Sequence, residues 1–346
     1  MLDKEENKRY SRQTILPEIG LSGQLKLKSA KVLVVGAGGL GCPILQYLAA
    51  AGVGELGIID DDEVDLTNLH RQILYSAEDI GKSKAEVAKS KLLCLNPHVK
   101  INVFVERLTA DNAMRIFGDH QLIIDGSDNF ETRYLVNDTC VEMNKTLVFG
   151  SIFKFEGYVS VFNYLGGPNY RDLFSEPPAA GSVPNCAEIG VIGVLPGIVG
   201  LYMANEAIKI ICELGETLSG TLMTINALQN TTHYFKIPRR KDPVEVPVEL
   251  QFPAIPEINR QTLDNWMSDD EMDLMIIDVR ETYEYEENSI GGRNIPLHEL
   301  KEQVHTFPSD KKIVFVCQTG QRSRMAVQLV SAHYSGTVYS LKNGLG

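Results

Sequence analysis

A cysteine near the end of the chain is the clearest candidate for a reactive side chain. In the segment IVFVCQTGQRS (313–323), an apolar, β-branched run leads to Cys317 and a loop that contains Gly320 and Arg322. The run predicts a buried strand, and the loop predicts a cradle of backbone N–H groups that opens onto a helix near Arg324. Such a cradle holds an anion. Here the anion would be the thiolate of Cys317 or a group bonded to it.

A second candidate site lies near the other end of the chain. The strand pattern KVLVVG runs into the turn GAGGLG (36–41), an apolar helical segment follows, and the next strand pattern, ELGIID, ends among acids. This is a βαβ unit in which Gly36, Gly38 and Gly41 would allow a tight turn, approach of a phosphate and close packing. The helix N-terminus would supply N–H groups to the phosphate, and Asp60 would accept a ribose hydroxyl. These features alone are typical of an NAD-dependent oxidoreductase.

The residues after Asp60 favour ATP instead. Asn68, Arg71 and Lys84 are predicted on a loop and a helix near the carboxyl ends of the parallel strands. Cleavage of a triphosphate places charge on the leaving pyrophosphate, and arginine, lysine and a metal ion meet that charge. Asp128, in IIDGSDN at the end of another strand, is placed to hold Mg²⁺ through its carboxylate.

Composition limits the class of partner. The chain has 346 residues and a formal net charge of −12, from 45 acidic and 33 basic residues, which disfavours nucleic acid as the main partner. No apolar run is long enough to cross a bilayer. The N-terminal MLDKEENKRYSRQ is charged and lacks the apolar stretch of a signal peptide, so we expect a cytoplasmic protein without a membrane partner.

The pattern of elements predicts an α/β protein with two domains. We expect a doubly wound, Rossmann-like ATP-binding sheet followed by a smaller α/β domain. A stretch rich in proline and charge, PRRKDPVEVPVELQFPAIPEI, marks the linker between them. The predicted bounds are 1–240 for the first domain, 241–257 for the linker and 258–346 for the second domain. Further strands are predicted at 99–106, 121–126 and 146–152, with an antiparallel strand at 157–164.

The first domain carries motifs of a known family. RYSRQ, VGAGGLG, IDDDEVDLTNLHRQ and DGSDNFETR together resemble the ubiquitin-activating-like enzymes of the ThiF/MoeB/HesA superfamily. The resemblance covers about the first two thirds of the chain and implies adenylation of the C-terminal glycine of a ubiquitin-like sulfur carrier protein, with release of pyrophosphate. In this interpretation ATP is the cosubstrate, Mg²⁺ is the metal, and the carrier ends in GlyGly.

The resemblance also assigns roles to residues. Gly39 and Asp60 would contact the phosphate region and the ribose of ATP, and Asp128 would bind Mg²⁺ or the adenylate. Arg12, in RYSRQ, would reach into the nucleotide site of a partner subunit, which implies a homodimer. The family's phosphate contacts correspond here to Asn68, Arg71 and Lys84.

Cys186, in VPNCAEIGV, matches the position of a family cysteine that forms a thioester or a disulfide-linked intermediate. A helix N-terminus after a flexible loop would also lower the pKa of this thiol. The alternative is a buried structural thiol, which is what we expect of four other cysteines, Cys42, Cys94, Cys140 and Cys212.

One departure from the family concerns zinc. Many members hold Zn²⁺ with two CxxC pairs, but Asn169 and Asp172 stand at the first pair's positions and no cysteine stands at the second. A closed site needs four ligands. The sequence therefore predicts a protein without structural zinc and leaves open what braces the loop before Cys186.

The second domain resembles a rhodanese. MIIDVRETYEYEENSIGGRNIPLHEL (275–300) matches the family's DVR…E(Y/F)…N(I/V)P signature, and VCQTGQRS matches its active-site loop. The resemblance implies that Cys317 carries a persulfide whose charge is stabilised by the amides from Gln318 to Ser323 and by Arg322. Related phosphatases use a loop that is one residue longer, so this spacing favours sulfur.

Together, the two resemblances predict an enzyme that adenylates a sulfur carrier and then delivers sulfur to give a thiocarboxylate. The predicted sulfur donor is a desulfurase or thiosulfate. Two alternatives stay open: an enzyme of the same family that activates a small-molecule or tRNA-bound carboxylate, and a Rossmann oxidoreductase. The pathway, whether molybdopterin, thiamin, tRNA thiolation or cysteine synthesis, is also left open.

Overall fold

The computed structural model describes residues 1–178, 190–239, 255–268, 273–308, 311–331, 333–334 and 336–346. These residues form two compact units, one N-terminal and one C-terminal. The predicted linker, 241–257, falls largely outside the described residues. The domain bounds given above therefore stay predictions.

The first unit is built on an eight-stranded sheet with the order β3-β2-β1-β4-β5-β6-β7-β8. The strands from β3 to β5 are parallel, and β6, β7 and β8 are added antiparallel. The strand order reverses between β1 and β4, as in a doubly wound sheet, and the predicted fold class is confirmed. The bounds are β1 Lys31–Val35, β2 Glu55–Ile59, β3 Lys100–Phe104, β4 Leu122–Asp125, β5 Thr146–Phe153, β6 Glu156–Phe162, β7 Thr221–Asn226 and β8 Thr231–Lys236.

Helices cover this sheet, and two short 3₁₀ turns, Leu66–Asn68 and Ala77–Asp79, lie between β2 and the next long helix. The described α-helices are α1 Lys4–Arg9, α2 Ser11–Thr14, α3 Gly20–Ser29, α4 Gly41–Ala51, α5 Lys84–Leu95, α6 Ala110–Gly118, α7 Phe130–Glu142, α8 Tyr170–Leu173 and α9 Val194–Cys212.

The central strands are buried on both faces, which is why they are apolar at nearly every position. All four residues of β4 are buried, and only the first residues of β1 and β2 are partly exposed. A parallel sheet covered by helices on both faces requires such runs. The alternating pattern predicted near 157–164 is the antiparallel β6, as expected.

The expectation that no apolar run is long enough to cross a bilayer was wrong for helix α9, which is long and apolar enough to do so by length and composition. Three of its side chains, Leu195, Val199 and Met203, are fully buried in the core of the first unit. Packing in a protein core accounts for the apolar character of this helix.

The second unit contains a five-stranded sheet with the order β11-β10-β12-β13-β9, in which all neighbours are parallel. Its strands are β9 Glu257–Ile258, β10 Leu274–Asp278, β11 Arg293–Asn294, β12 Lys312–Val316 and β13 Val338–Leu341. The described helices are α10 Arg260–Met267, α11 Thr282–Glu287, α12 Leu297–Gln303 and α13 Gln321–Ser331, with a 3₁₀ turn at Val304–Thr306.

Two side-chain clusters fill this unit because strand residues alternate between the faces of the sheet. Ile313 and Phe315 of β12 belong to one cluster, and Val314 and Val316 belong to the other. The strand predicted before Cys317 is confirmed. The helix after the loop begins at Gln321, three residues earlier than the predicted Arg324, because the loop itself forms its first turn.

Candidate functional site

The glycine turn joins β1 directly to α4. Gly36 has φ +90°, and its N–H donates to the carbonyl of Ile59 at 2.9 Å. A Cβ atom at Gly41 would lie 2.0 Å from the carbonyl oxygen of Gly36, so only glycine fits there. Gly38 and Gly39 lie between them, and no described side chain caps α4. The N–H of Cys42 already donates to the carbonyl of Gly38 at 2.9 Å and Pro43 has no N–H, so the N–H of Gly41 is the one in the first turn of this helix that can serve a phosphate.

Asp60 follows β2 and is tied to the turn. One carboxylate oxygen accepts the N–H of Ala37 at 2.7 Å, and the other accepts the N–H of Asp62 at 2.9 Å. Burial raises the pKa of Asp60 to about 6, although the charge of Lys84 opposes this effect. An acceptor oxygen beside the glycine turn is the expected contact for a ribose hydroxyl.

Lys84 is the first residue of α5 and is only 4% exposed. Its Nζ atom donates to a carboxylate oxygen of Asp62 at 2.8 Å. Burial lowers the pKa of Lys84, but the neighbouring charges of Asp60 and Asp62 outweigh burial and hold this pKa above its ordinary value. The result is a lysine that stays charged in a buried position, and Tyr75 fixes it to the turn: the Tyr75 hydroxyl lies 2.7 Å from the carbonyl of Ala37 and 3.2 Å from that of Lys84.

Asn68, Arg71 and Gln72 form one hydrogen-bonded group. The side-chain oxygen of Asn68 accepts from Arg71 Nη2 at 3.2 Å and from Gln72 Nε2 at 2.8 Å. Arg71 Nη1 also donates to the carbonyl of Thr67 at 3.1 Å. Two of the predicted phosphate contacts, Asn68 and Arg71, thus lie together on one short segment, while the third, Lys84, lies on α5.

Gln72 has a feature that the sequence did not reveal. It is 4% exposed, and its Oε1 atom has no hydrogen-bond partner among the described residues. A Cβ atom at Gly38 would lie 3.5 Å from Gln72 Nε2, so the amide faces the glycine turn. A buried acceptor without a protein partner needs a donor from a bound molecule or water. This fits a nucleotide at the turn.

The end of β4 supplies carboxylates. Asp125 is fully buried, one of its oxygens accepts the N–H of Ser127 at 2.9 Å, and the other has no partner among the described residues. Burial raises the pKa of Asp125, while Arg133 opposes this. Asp128 follows on the same loop and is exposed. Its charge contributes to the raised pKa of Lys84, and an exposed carboxylate next to a phosphate site fits Mg²⁺.

The N-terminus of α9 also borders the turn, which the sequence did not predict. A Cβ atom at Gly39 would lie 3.1 Å from Cβ of Pro196, and one at Gly193 would lie 2.4 Å from the carbonyl oxygen of His70. The sequence signal for this contact was the series of glycines in GVLPGIVG, because residues without a side chain allow the start of α9 to approach the turn and His70 closely. Arg12, in contrast, is exposed on α2, and its predicted role in a partner subunit's site stays a prediction.

The cradle around Cys317 lies in the second unit. Cys317 is fully buried, and its Sγ atom accepts the N–H of Ser323 at 3.3 Å. Gly320 has φ +84°, which lets the loop turn back over the cysteine. The Ser323 hydroxyl lies 2.8 Å from that of Ser340 on β13. The N–H of Ser323 therefore donates to the sulfur, and the thiol can donate to the Ser323 hydroxyl oxygen at 3.6 Å, while that hydroxyl donates to the carbonyl of Gly320 at 3.0 Å.

Arg322, on the loop around Cys317, is not a free cation, because Glu284 of α11 binds its guanidinium group. Its Nη1 and Nη2 atoms donate to the two carboxylate oxygens at 2.6 and 2.7 Å. Burial raises the pKa of Glu284, but Arg322 outweighs burial and holds this pKa below its ordinary value. The sequence placed Arg322 next to the persulfide and missed Glu284, whose only signal was its place in the motif ETYEY.

Comparisons with known proteins place both units. Residues 10–246 match the ThiF family, and residues 259–346 match the Rhodanese-like domain. The chain belongs to the ThiF family. It carries a rhodanese domain at its C-terminal end.

Individual relatives agree with this. The probable adenylyltransferase/sulfurtransferase MoeZ of Mycobacterium tuberculosis is 42% identical over 368 residues, covering 99% of this chain and 93% of that one. The sulfur carrier protein adenylyltransferase of Thermus thermophilus is 51% identical over 245 residues, covering 69% of this chain and 90% of that one. A crystal structure of Escherichia coli MccB with ATP has a TM-score of 0.60 at 23% identity, over 69% of this chain and 73% of that chain, and it supports the fold.

In this ThiF-family chain, the two residues at the first zinc-pair positions have another use. The side-chain oxygen of Asn169 accepts the N–H of Arg171 at 2.8 Å, and Asp172 accepts the N–H of Asn169 at 2.8 Å. This is a capping box at the start of α8. Both side chains therefore have a structural role as a helix cap.

A buried ion pair lies beside this cap. Arg171 donates to both carboxylate oxygens of Asp138 on α7, each at 2.7 Å, and to the carbonyl of Ser175 at 2.9 Å. The guanidinium also lies 4.8 Å from the ring centre of Tyr134, whose hydroxyl donates to the carbonyl of Glu176 at 2.6 Å. We call these contacts the Arg171 brace. The brace attaches the segment from residue 171 to residue 176 to helix α7.

Three of the four cysteines that we expected to be buried structural thiols are buried, and one is not. Cys42, Cys140 and Cys212 are buried, as predicted for structural thiols, but Cys94 is exposed. The prediction for Cys94 was wrong because this residue is on the outward face of α5, near its C-terminal end. Cys186 lies outside the described residues, and its role stays a prediction.

Proposed function

We propose that this chain adenylates the C-terminal glycine of a ubiquitin-like sulfur carrier protein and then converts the adenylate to a thiocarboxylate. The observation that carries the proposal is the presence, in one chain, of a phosphate turn with buried Lys84 and of a cysteine cradle around Cys317. The MoeZ relative, similar over nearly the whole chain, is named for the same pair of activities. Adenylation and sulfur transfer are consecutive steps, because a carboxylate reacts with a sulfur nucleophile only after its oxygen becomes part of a leaving group.

The first unit binds ATP and performs the adenylation. The glycine turn and the N-terminus of α4 hold phosphate, and Asp60 accepts a ribose hydroxyl. The carrier's terminal carboxylate attacks the α-phosphorus, pyrophosphate leaves, and Arg71 and Lys84 meet the charge that develops on it. Asp128 would hold Mg²⁺, which neutralises triphosphate charge when bound.

The second unit supplies sulfur. The outer sulfur of a Cys317 persulfide attacks the acyl carbon, the C–O bond breaks, and AMP leaves with its electron pair. The product is an acyl disulfide between the carrier and Cys317. The thiolate of Cys186 then attacks the Cys317 sulfur, the carrier thiocarboxylate leaves, and a disulfide forms between the two cysteines. A reducing thiol must open that disulfide before the next cycle.

The remaining assignments follow from this proposal. The partners are a carrier with a GlyGly end, a sulfur donor (a desulfurase or thiosulfate) and a second copy of the chain that receives Arg12 in its nucleotide site. We further propose a cytoplasmic protein that needs neither nucleic acid nor a membrane partner and holds no structural zinc.

ATP–pyrophosphate exchange tests the first step. The purified chain should exchange label only with a carrier that ends in GlyGly, and a matched carrier without its last glycine should give none. Exchange with a small-molecule carboxylate, or with a tRNA that bears a free carboxylate, in place of the carrier would support the alternative acceptors. A rise in melting temperature with NAD, but none with ATP, would support a Rossmann oxidoreductase instead.

The role of Cys186 has its own test. Cys186→Ala should keep exchange and should stall the carrier as a disulfide-linked adduct on Cys317, visible on a non-reducing gel and released by dithiothreitol. Cys94→Ala removes an exposed thiol and serves as the control. Thiocarboxylate formed at the normal rate by Cys186→Ala without added reductant would assign Cys186 to structure.

A further inference from the structure

The electrostatics of the Cys317 cradle depend on one cation and its partner. Arg322 is the only charged residue in the loop from Cys317 to Ser323. Both of its terminal nitrogens are engaged by Glu284, at 2.6 and 2.7 Å. The guanidinium next to the reactive sulfur is therefore neutralised by a carboxylate of the same unit.

Glu284 is itself held in place. One of its oxygens also accepts the N–H of Glu281 at 2.9 Å, in a capping box at the start of α11. The side chains of Arg322 and Glu284 are 28% and 20% exposed, and a bidentate pair at this depth has a fixed geometry. A donor that enters the cradle thus meets an ion pair and not a free cation.

A second arginine near the loop is neutralised in the same way. Arg280 donates to both oxygens of Asp278, at 3.0 and 2.7 Å, and its Nη1 atom donates to the side chain of Gln318 at 3.3 Å. Asp278 is fully buried. The two arginines that border the cradle therefore each have a carboxylate partner.

Sulfur donors differ in the charge that such a cradle must accept. Thiosulfate is a dianion and releases sulfite, another dianion, so its reaction benefits from a cation that is not already paired. An organic persulfide carries a single charge on its sulfur and releases a thiolate. The Cys317 cradle offers the N–H of Ser323 and an ion pair, which suits the smaller charge.

We propose that Glu284 is a specificity-determining residue that makes Cys317 accept sulfur from an organic persulfide in preference to thiosulfate. This inference rests on the proposed function of Cys317 as the sulfur-carrying residue. In the favoured step, the Cys317 thiolate attacks the outer sulfur of the persulfide. The donor's S–S bond breaks, and the donor thiolate leaves with the electron pair and takes up a proton.

The test measures the rate at which Cys317 gains one sulfur atom, by intact mass of the full chain. The donors are thiosulfate and cysteine persulfide at equal concentration. The wild-type chain should react at least ~10-fold faster with cysteine persulfide, and Glu284→Gln should raise the thiosulfate rate at least ~10-fold while changing the persulfide rate less than ~3-fold. The gain with thiosulfate should shrink as salt is added.

Glu287→Gln is the matched control, because it removes the same charge from an exposed position of the same helix. It should change neither rate. Glu284→Asp, which keeps the charge, should keep the preference for the persulfide. A desulfurase loaded with persulfide, used as a third donor, distinguishes the source: faster transfer than from cysteine persulfide indicates a protein donor, and slower transfer indicates a small thiol.

Two results would overturn the proposal. One is a wild-type chain that reacts faster with thiosulfate than with cysteine persulfide. This result can be obtained without any variant. The other is a Glu284→Gln chain in which both rates are unchanged or fall equally, because this would show a purely structural role. Carrier-dependent exchange, measured on the same samples, reports on the first unit and should be unaffected. Its absence in the wild type would count against the proposed function and not against Glu284.

Discussion

The two candidate sites are built on the same kind of turn but hold their cations differently. Each follows a parallel strand, opens onto a helix and contains a glycine at positive φ, Gly36 at +90° and Gly320 at +84°. In the first site, Lys84 meets one oxygen of Asp62, a side chain that is 59% exposed. In the second, Arg322 is held by both carboxylate oxygens of Glu284, whose side chain is 20% exposed.

The difference matches the charge that each site has to handle. A triphosphate brings several negative charges, so its site needs a cation whose present partner can be replaced by phosphate oxygen or turned toward water. A thiolate or persulfide brings about one charge, which backbone N–H groups can stabilise. The same turn therefore serves two chemistries, and the setting of the nearby cation separates them.

The largest expected effect comes from removing the sulfur of the second site. Cys317→Ala should abolish persulfide formation and thiocarboxylate production, because no other residue in the cradle is a sulfur nucleophile. It should leave ATP–pyrophosphate exchange near wild type, because that step uses the first site. Both assays can be run on one preparation, with Cys94→Ala as the control. Loss of exchange in Cys317→Ala would break the separation between the two sites.

A buried arginine–carboxylate pair in the first unit, between Arg171 and Asp138, sharpens the comparison. Asp138→Ala leaves Arg171 as an uncompensated buried charge, so the free energy of unfolding should fall by about 3–5 kcal/mol, measured by urea denaturation. The control is Glu106→Ala, which removes a partner from an ion pair with Arg115 whose side chains are 40% and 60% exposed. That change should cost less than about 1 kcal/mol. Equal losses in the two variants would contradict a special role for burial.

The same brace predicts independence from zinc. Chelators should leave the melting temperature of the wild-type chain unchanged, and zinc should be well below one per chain by elemental analysis. A measured content near one zinc per chain would contradict this.

The next effect in size concerns Asp128, the exposed carboxylate of the first site. Asp128→Ala should reduce carrier-dependent exchange by about 100-fold, the loss typical of one electrostatic contact to the transition state. Asp119→Ala removes the same charge from an exposed position after α6 and should leave the rate near wild type. Exchange that survives in Asp128→Ala would remove Asp128 from the mechanism.

The smallest effect is a pH dependence of stability. Burial raises the pKa of Asp60 from 3.8 to about 6, so the folded state binds more protons than the unfolded state between these values. The stability of the wild type relative to Asp60→Asn should therefore fall by roughly 1–2 kcal/mol as pH rises from about 4 to about 6. Urea denaturation at several pH values measures this. Parallel pH profiles for the two proteins would show that the Asp60 carboxyl titrates at its ordinary pKa.

The sequence predicted the parts of the fold that local patterns determine. Continuous apolar runs identified the buried strands around β1 and β12, and the glycine turn identified the start of α4. It did not predict β8, because this edge strand has five exposed residues and no alternating apolar pattern, and it also missed β7, whose alternate residues are buried. It also placed Cys94 inside, since a single helix position near a C-terminal end gives no clear face.

Side-chain pairing was the part of the site that the sequence could not supply. Glu284 and Arg322 are 38 residues apart, and Asp138 and Arg171 are 33 apart. Lys84 and Asp62 are 22 apart. No periodicity connects residues at such separations, because only the packing of whole elements brings them together. The motifs identified Arg322 and Lys84 but not their pairing, and both members of the Arg171–Asp138 pair became visible only in three dimensions.

The Arg171 brace has a consequence for when the first unit can assemble. Its contacts join α7 to the chain just beyond α8, and all of its atoms belong to the polypeptide. Closing a loop of this length is fast compared with chain synthesis. This corner can therefore lock while the ribosome is still adding the second unit, without waiting for a metal to be delivered. For a chain without structural zinc, as we propose, the supply of folded first unit in a growing cell depends on translation and not on how zinc is shared among competing proteins.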